Sequence, residues 1–296
     1  MVRTNADGMM NDARANELLD VVKASPDAVA RHDKAAWVGL FSTRAVIEDP
    51  VGSRPHHNGL HDRRSGVRGA GPIERFYDTF IAPNAITFHV DQDIVSGRIV
   101  IRDLTVEIAM AAGVTVRVPM HLLYEITDED GALRIAHLCA SWELFPMVRQ
   151  VLSNGWPGLM VMNRLGLRMV ARQGLGAVIG FSKGMFGIHS AGKETVRRFV
   201  EAINRKEATA LASLFDARND GIAFPAGRKS FAPESFCNQV DVLLVVTKLL
   251  SSGYITTCSF TARAGETESR GVGLFEFNSR TGNLHAARLY CVSWTV

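Results

Sequence analysis

Two neighbouring carboxylates, Glu48 and Asp49, end an apolar run and precede a Pro-Val-Gly-Ser turn in the segment IEDPVGSRP. A strand end holds a side chain in a fixed direction, and an ionised carboxylate that faces an apolar cavity can act as a general base. Successive strand residues point to opposite faces, so we expect Asp49 to point inward and Glu48 outward. The alternative is that Asp49 only caps the turn.

Helical segments flank this turn. Residues 12–42 carry apolar side chains at helical spacing. Ser25 followed by Pro26 is typical of an N-cap and a first helical position, which predicts a helix that restarts there. A short strand over residues 45–48 and a polar loop follow, and GPIERFYDTFIAP restores helical spacing.

The period of the pattern changes to two from Leu104 onward. Apolar side chains alternate with others, and the row from Val114 to Ile126 forms one apolar face. The segment DEDG, residues 128–131, predicts a hairpin turn, and residues 132–144 predict a returning strand. Helices followed by an antiparallel meander indicate an α+β domain with a curved sheet.

The same pattern recurs later in the chain. The segment KETVRRFVEAINRKEATALASLFDARNDGIAFPAGR repeats the helix, strand and Pro-x-Gly order of the first half. We therefore predict two copies of one domain, residues 12–148 and 191–296, joined by a helical linker over 149–190. In the second copy Phe224 stands where the first has Asp49, so this copy lacks the base. It is either a non-catalytic partner domain or a domain with a pocket that only binds.

The linker has a composition of its own, with many apolar residues. Its arginines and glycines recur four residues apart, at Arg164, Arg168, Arg172, Gly176, Gly180 and Gly184. Glycines at this spacing allow close helix contact. One hypothesis is a linker packed between the two domains. The other is peripheral membrane contact through residues 155–188, with the arginines toward the lipid headgroups.

The first copy resembles a known family. GLFSTRAVIEDPVGSRP, followed by PIERFYDTFI, is similar to the ketosteroid isomerase family, within the nuclear-transport-factor-2-like and polyketide-cyclase-like cone fold. The resemblance implies that Asp49 moves a proton next to a ketone. It also implies two hydrogen-bond donors for the enolate oxygen, and the corresponding positions fall on Ser25 and His121. Dehydration, cyclisation or epoxide hydrolysis are related chemistries that stay open.

From this resemblance we expect a cofactor-independent isomerase or lyase that acts on a steroid-like or polycyclic ketone. The candidate substrate-binding side chains are Phe76, Phe80, Phe88 and Trp142. Members of this fold pair through their sheets, so the resemblance also implies that the two halves of the chain pair as a pseudo-dimer. A homodimer of whole chains is a further hypothesis. The rival hypothesis is a non-catalytic protein that binds steroids or lipids near a membrane.

Other features exclude further classes. The net charge of +3 gives no reason to expect nucleic-acid binding. Four scattered cysteines favour free thiols in the cytoplasm over a disulfide framework. We expect no metal: His57 and His61 have suitable spacing but lack a neighbouring acidic or cysteine ligand. The loop arginines, which could contact an anionic substrate tail, are Arg54, Arg63, Arg64 and Arg68. The sequence holds no apolar leader core and no uncharged apolar run of spanning length.

Overall fold

The computed structural model describes residues 3–58, 71–227 and 229–292. Within these residues, the first domain shows α-helices α1 to α3, a short 3-10 helix over Ala111–Gly113 and strands β1 to β6. These are α1 (Arg3–Ala30), α2 (Lys34–Gly39), β1 (Phe41–Glu48), β2 (His56–His57), α3 (Pro72–Phe76) with a π-helical turn over Tyr77–Ile81, β3 (Ala85–Ser96), β4 (Ile99–Ala109), β5 (Thr115–Glu129) and β6 (Ala132–Ser141).

Helix α1 runs through Ser25 and Pro26 without a break, so the predicted helix restart and the capping role of Ser25 are wrong. Pro26 removes one backbone hydrogen bond from the helix interior. Packing offsets this loss, because α1 buries Leu18, Val22 and Val29 in the core of the domain. Tertiary contacts therefore set the path of this helix.

The first sheet has the strand order β2-β1-β6-β5-β4-β3. Strand β1 lies parallel to β6 and the remaining pairs are antiparallel, so the sheet is mixed and not purely antiparallel. The predicted hairpin between β5 and β6 is present. Asp130 and Gly131 both have positive φ, 55° and 76°, as the tight two-residue turn requires.

The second domain repeats this order. Its elements are α7 (His189–Asn204), α8 (Ala208–Ala212), β7 (Gly221–Ala223), β8 (Ser230–Phe231), α9 (Pro233–Gln239), β9 (Leu243–Ser252), β10 (Ile255–Ala264), β11 (Thr267–Phe277) and β12 (Leu284–Cys291). Its sheet has the order β8-β7-β12-β11-β10-β9, which is the order of the first sheet shifted by six. The α+β class and the two cone-shaped domains predicted from the sequence are confirmed.

Three linker helices lie between the two sheets in the chain: α4 (Leu144–Leu152), α5 (Trp156–Gln173) and α6 (Leu175–Ser182). Helix α5 is fixed to the first domain through Thr79, whose carbonyl accepts from Arg168 at 3.4 Å and whose hydroxyl accepts from Gln173 at 2.9 Å. Arg172 pairs with Asp78 at 3.1 Å. Among the described residues, no helix is both long and apolar enough to cross a membrane.

We keep residues 12–148, 149–190 and 191–296 as our proposed division of the chain, although its boundaries at 12, 148/149 and 190/191 fall inside α1, α4 and α7. The two domains meet through an apolar cluster, whose buried members include Ile94 and Ile101 from the first sheet and Val272 and Leu274 from the second.

Candidate active site

The interior of the first cone is hollow. A cavity lies between α1, the helical segment 72–81 and the concave face of the sheet, and its free space is about 1020 Å³ when the open mouth is included. Alternate residues of β5 form one wall, since every second strand side chain points to the same face. The four predicted substrate-binding side chains, Phe76, Phe80, Phe88 and Trp142, all line this cavity.

Asp49 directly follows β1 and lies in the cavity wall. The indole Nε1–H of Trp142 donates a hydrogen bond to its Oδ1 at 2.5 Å. Desolvation raises the pKa of Asp49 to about 6, and the Trp142 hydrogen bond opposes part of that rise. At neutral pH this carboxylate is ionised, yet it is a stronger base than a solvated aspartate.

The turn that carries Asp49 is held by both domains. The Val51 N–H donates to the Ala140 carbonyl at 2.9 Å, and the Val51 carbonyl accepts from the hydroxyl of Ser252, in the second domain, at 2.6 Å. Gly52 has a positive φ of 87° and lies against Gly253 so closely that an added Cβ would be 2.6 Å from the Gly253 Cα. Only glycine fits there, both for conformation and for space.

The equivalent turn of the second domain, at Ala226 and Gly227, is likewise held by both domains. The Ala226 N–H donates to the Leu289 carbonyl at 2.8 Å, and the Ala226 carbonyl accepts from the Ser96 hydroxyl at 2.8 Å. Gly227, with φ of 86°, occupies the position of Gly52. The contact between the copies is therefore reciprocal at these two turns.

Linker helix α6 closes one side of the cavity and packs on the Asp49 turn. Phe181 lines the cavity and stacks on Phe80, with ring centroids 5.4 Å apart. Gly180 and Gly184 allow this approach: an added Cβ would be 2.8 Å from the Arg54 Cβ or 2.9 Å from the Pro50 Cγ. The regular glycine spacing thus allows close contact with this turn.

Ser25 lies in the cavity wall, at the position that the family resemblance implied. Its partner Tyr124 also lines the cavity and was not identified as a site residue from the sequence. The Ser25 hydroxyl accepts from Trp37 Nε1–H at 3.1 Å and hydrogen-bonds Tyr124. Burial is the main cause that raises the pKa of Tyr124 to about 12, so its phenol stays protonated. Tyr124 lies among the alternating apolar side chains of β5 that face the interior. A single tyrosine among them indicates an inward-facing hydroxyl, and this pattern could have identified Tyr124 from the sequence.

His121 does not lie in the cavity wall, which corrects its predicted role as a donor to the ligand. Its neighbours Met120 and Leu122 line the cavity, so the intervening His121 side chain points to the opposite face of the sheet. There its Nδ1 contacts the Thr257 hydroxyl at 2.7 Å and its Nε2 the Ser259 hydroxyl at 2.9 Å. Desolvation lowers the pKa of His121, so it is a neutral residue of the domain interface.

Asp103 completes this interface network. It accepts hydrogen bonds from Ser259 at 2.6 Å and from Lys248 at 2.5 Å. Burial opposes its ionisation, but the hydrogen bonds from His121, Lys248 and Ser259 hold its pKa below the usual range. The network joins the two domains away from the cavity.

One group of described residues could hold a metal ion. The ligand atoms of Glu48, His137 and Cys139 lie within 4.8 Å of one another. They occupy the outer face of the sheet, because Leu138 and Ala140, which alternate with them on β6, line the cavity. On this outer face Glu48 pairs with His137 at 2.9 Å. Because Asp49 lies in the wall of the cavity, on the inner face, the group is separate from the Asp49 site.

The loop after the Asp49 turn is only partly described. His61 and the loop arginines Arg63, Arg64 and Arg68 lie outside the described residues. His56 packs edge-on against Phe76, with ring centroids 5.0 Å apart. Desolvation lowers the pKa of His56 to about 4, and neighbouring cations add to this effect.

Aromatic side chains fill the second cone. Phe224, which follows β7 as Asp49 follows β1, is buried and packs edge-on against Phe236 at 6.1 Å between centroids. Gly271 of β11 leaves no room for a side chain, because an added Cβ would lie 2.4 Å from Cζ of Phe260. Phe224, at the position equivalent to Asp49, is therefore part of an aromatic core.

These features of the first domain agree with a family match. Residues 22–137 match the model described as a SnoaL-like domain. The resemblance to the nuclear-transport-factor-2-like cone fold that the sequence suggested is thus confirmed for this part of the chain. A comparison with curated proteins found no match.

Several solved structures are similar to the chain. One is RV0760c of Mycobacterium tuberculosis in complex with estradiol-17beta-hemisuccinate, at 24% identity and TM-score 0.35, covering 44% of this chain and 96% of that chain. Another is the Delta 5-3-ketosteroid isomerase of a Mycobacterium species, at 22% identity and TM-score 0.35, covering 44% and 95%. A third is an LEH-like epoxide hydrolase of M. tuberculosis, at 15% identity and TM-score 0.37, covering 51% and 98%.

Proposed function

We propose that the first domain is a cofactor-independent isomerase or lyase that shifts a proton on a steroid-like or polycyclic ketone, with Asp49 as the proton shuttle. The observation that carries this proposal is a desolvated carboxylate, of pKa about 6, in the wall of an apolar cavity. Such a group combines an ionised state at neutral pH with the basicity that proton abstraction next to a carbonyl needs.

The proton balance needs no other reactant. Asp49 takes a proton from the carbon next to the ketone and returns it two carbons along the conjugated system. The negative charge meanwhile rests on the ketone oxygen, which needs hydrogen-bond donors. Ser25 and Tyr124 supply hydroxyls in the same cavity, and the chain from Trp37 to Ser25 to Tyr124 orients them. Trp142 holds the ionised form of Asp49 in place.

The test is turnover of a 3-oxo-Δ5-steroid, followed by ultraviolet absorption of the conjugated enone. Asp49→Asn should lower the rate by about 10²- to 10⁴-fold, and the wild-type rate should rise with pH to half its maximum near pH 6. Glu48→Gln is the matched control, since Glu48 is the adjacent carboxylate on the other face of β1. It should keep turnover. Asp49→Asn turning over as fast as wild type would refute the role of Asp49.

The alternative is a non-catalytic protein that binds a steroid or lipid and contacts a membrane through residues 155–188. The apolar side chains that this segment exposes favour it. Wild-type protein that retains the steroid without producing the enone would support this alternative.

We further propose that the reciprocal turns make the two copies a pseudo-dimer, in which the second is a non-catalytic partner. A homodimer of whole chains stays a prediction, and so does a cytoplasmic location, which the four free thiols support.

A further inference from the structure

The linker helices expose an unusual amount of apolar surface. Among the described residues, eleven of the sixteen exposed large hydrophobic side chains fall between Phe145 and Phe186. We call the following set the outer linker face: Phe145, Leu152, Trp156, Leu159, Leu167, Val170, Leu175, Val178, Ile179, Met185 and Phe186. Exposed apolar side chains concentrated in one segment of a chain are typical of an interaction site.

The most exposed members are large side chains that contact little of their own chain. Trp156 and Leu175 are each 72% exposed, and Phe186 is 73% exposed. A folded chain that leaves a tryptophan, a leucine and a phenylalanine so open to water gains nothing from them in its own core. A partner that covers them would remove this apolar area from water.

Helix α5 has two apolar faces. Trp156, Leu159 and Leu167 fall on one outward stripe, because an α-helix has about 3.6 residues per turn. Leu165 lies on the opposite side and lines the cavity. The helix thus separates the apolar interior of the first cone from an apolar outer surface.

The charge of the segment identifies the partner. No acidic residue occurs between Glu143 and Glu194, whereas the basic residues there are Arg149, Arg164, Arg168, Arg172, Lys183 and Lys193. Arg149 and Arg164 are exposed beside the outer linker face. A second copy docked through the same face would bring like charges together. A bilayer has an apolar interior and, where its lipids are anionic, negatively charged headgroups. It therefore offers partners for both the exposed apolar side chains and the exposed arginines.

We propose that the outer linker face docks onto the surface of a bilayer that contains anionic phospholipid. The apolar side chains enter the interface between headgroups and acyl chains, and Arg149 and Arg164 contact phosphate and carboxylate groups, whereas Arg168 and Arg172 face the first domain. Resting on the proposed function, such docking would place the cavity behind α5 and α6 next to the bilayer, where apolar ligands dissolve. Docking itself requires no ligand and no turnover.

Flotation of the full chain with phosphatidylcholine vesicles, with and without phosphatidylserine, tests docking. Wild-type protein should float with the anionic vesicles and detach as the salt concentration rises. The double variant Trp156→Ser with Leu175→Ser should bind at least about tenfold more weakly. Its matched control is Leu243→Ser with Val245→Ser, which removes two exposed apolar side chains on β9 and should bind as wild type.

Charge reversal gives a second reading. Arg149→Glu with Arg164→Glu should remove the preference for phosphatidylserine. Wild-type protein that stays unbound, or a Trp156 and Leu175 variant that floats as well as wild type, would overturn the proposal. So would a dimer in solution that this variant dissociates, because the face would then bind a second copy. Since the vesicles hold no ketone, failure of docking and failure of Asp49 chemistry are separate results.

Discussion

The two cones share one topology but have opposite interiors. In the first, large side chains surround a hollow and a carboxylate enters it. In the second, Phe224, Phe236 and Phe260 occupy the interior, and Gly271 faces them without room for a methyl group. The fold is therefore compatible with either a binding cavity or a packed core. The residue that precedes the Pro-x-Gly turn differs accordingly: it is a carboxylate in the cavity wall in one copy and part of the apolar core in the other.

The largest effect should come from placing the base in the wrong cone. Phe224→Asp buries a carboxyl without a partner and removes an aromatic ring, so it should lower the free energy of unfolding by about 4 kcal/mol or more. Urea unfolding measures this. The reverse change, Asp49→Phe, should leave the free energy of unfolding unchanged or higher while abolishing turnover. Equal stability of Phe224→Asp and wild type would mean that the second cone has space and water.

A smaller effect should appear in the pH dependence of stability. Asp49 binds its proton more tightly in the folded state, at a pKa of about 6, than in the unfolded chain, where the ordinary value is 3.8. Its protonated form therefore favours folding below pH 4, and this contribution is lost as the pH rises through 6. Relative to Asp49→Asn, wild-type protein should lose about 3 kcal/mol of unfolding free energy between pH 3 and 7. A constant difference would show that Asp49 is solvated.

The smallest effect separates the two turns. Ser252→Ala and Ser96→Ala each remove one hydroxyl that donates to a turn carbonyl, so each should cost about 1 kcal/mol of unfolding free energy. Only Ser252→Ala loosens the turn that carries Asp49, so only this variant should lower turnover. Equal turnover losses would mean that the interface as a whole, and not the individual turn, positions the base.

Much of this site could be predicted because its residues lie close together in the chain. The strand end fixes Asp49, and the helix after it carries Phe76 and Phe80, so the local pattern placed these residues while the family resemblance implied the role of Asp49. His121 could be assigned to the outer face of β5 by alternation, but what covers that face depends on the second domain. Helix α1 was misjudged at Ser25 because burial of its apolar side, which a local reading does not weigh, outweighs the proline.

The linker shows a second limit of predicting structure from the sequence. Its helices and its glycine spacing were visible in the sequence, but the partner of those glycines was not, because Pro50 and Arg54 lie over a hundred residues away. Edge strand β3 was missed for a related reason. Most of its side chains are at least partly exposed, so its apolar alternation is weak.

The reciprocal serines make each half of the chain depend on the other. Each copy completes the other's turn, so a chain shortened to the first domain would leave the Val51 carbonyl without its Ser252 donor. The residue before the turn differs between the copies, Asp49 in one and Phe224 in the other, whereas the serine contact with the turn is the same in both. The two halves can therefore differ in their interiors but must stay matched where they interlock.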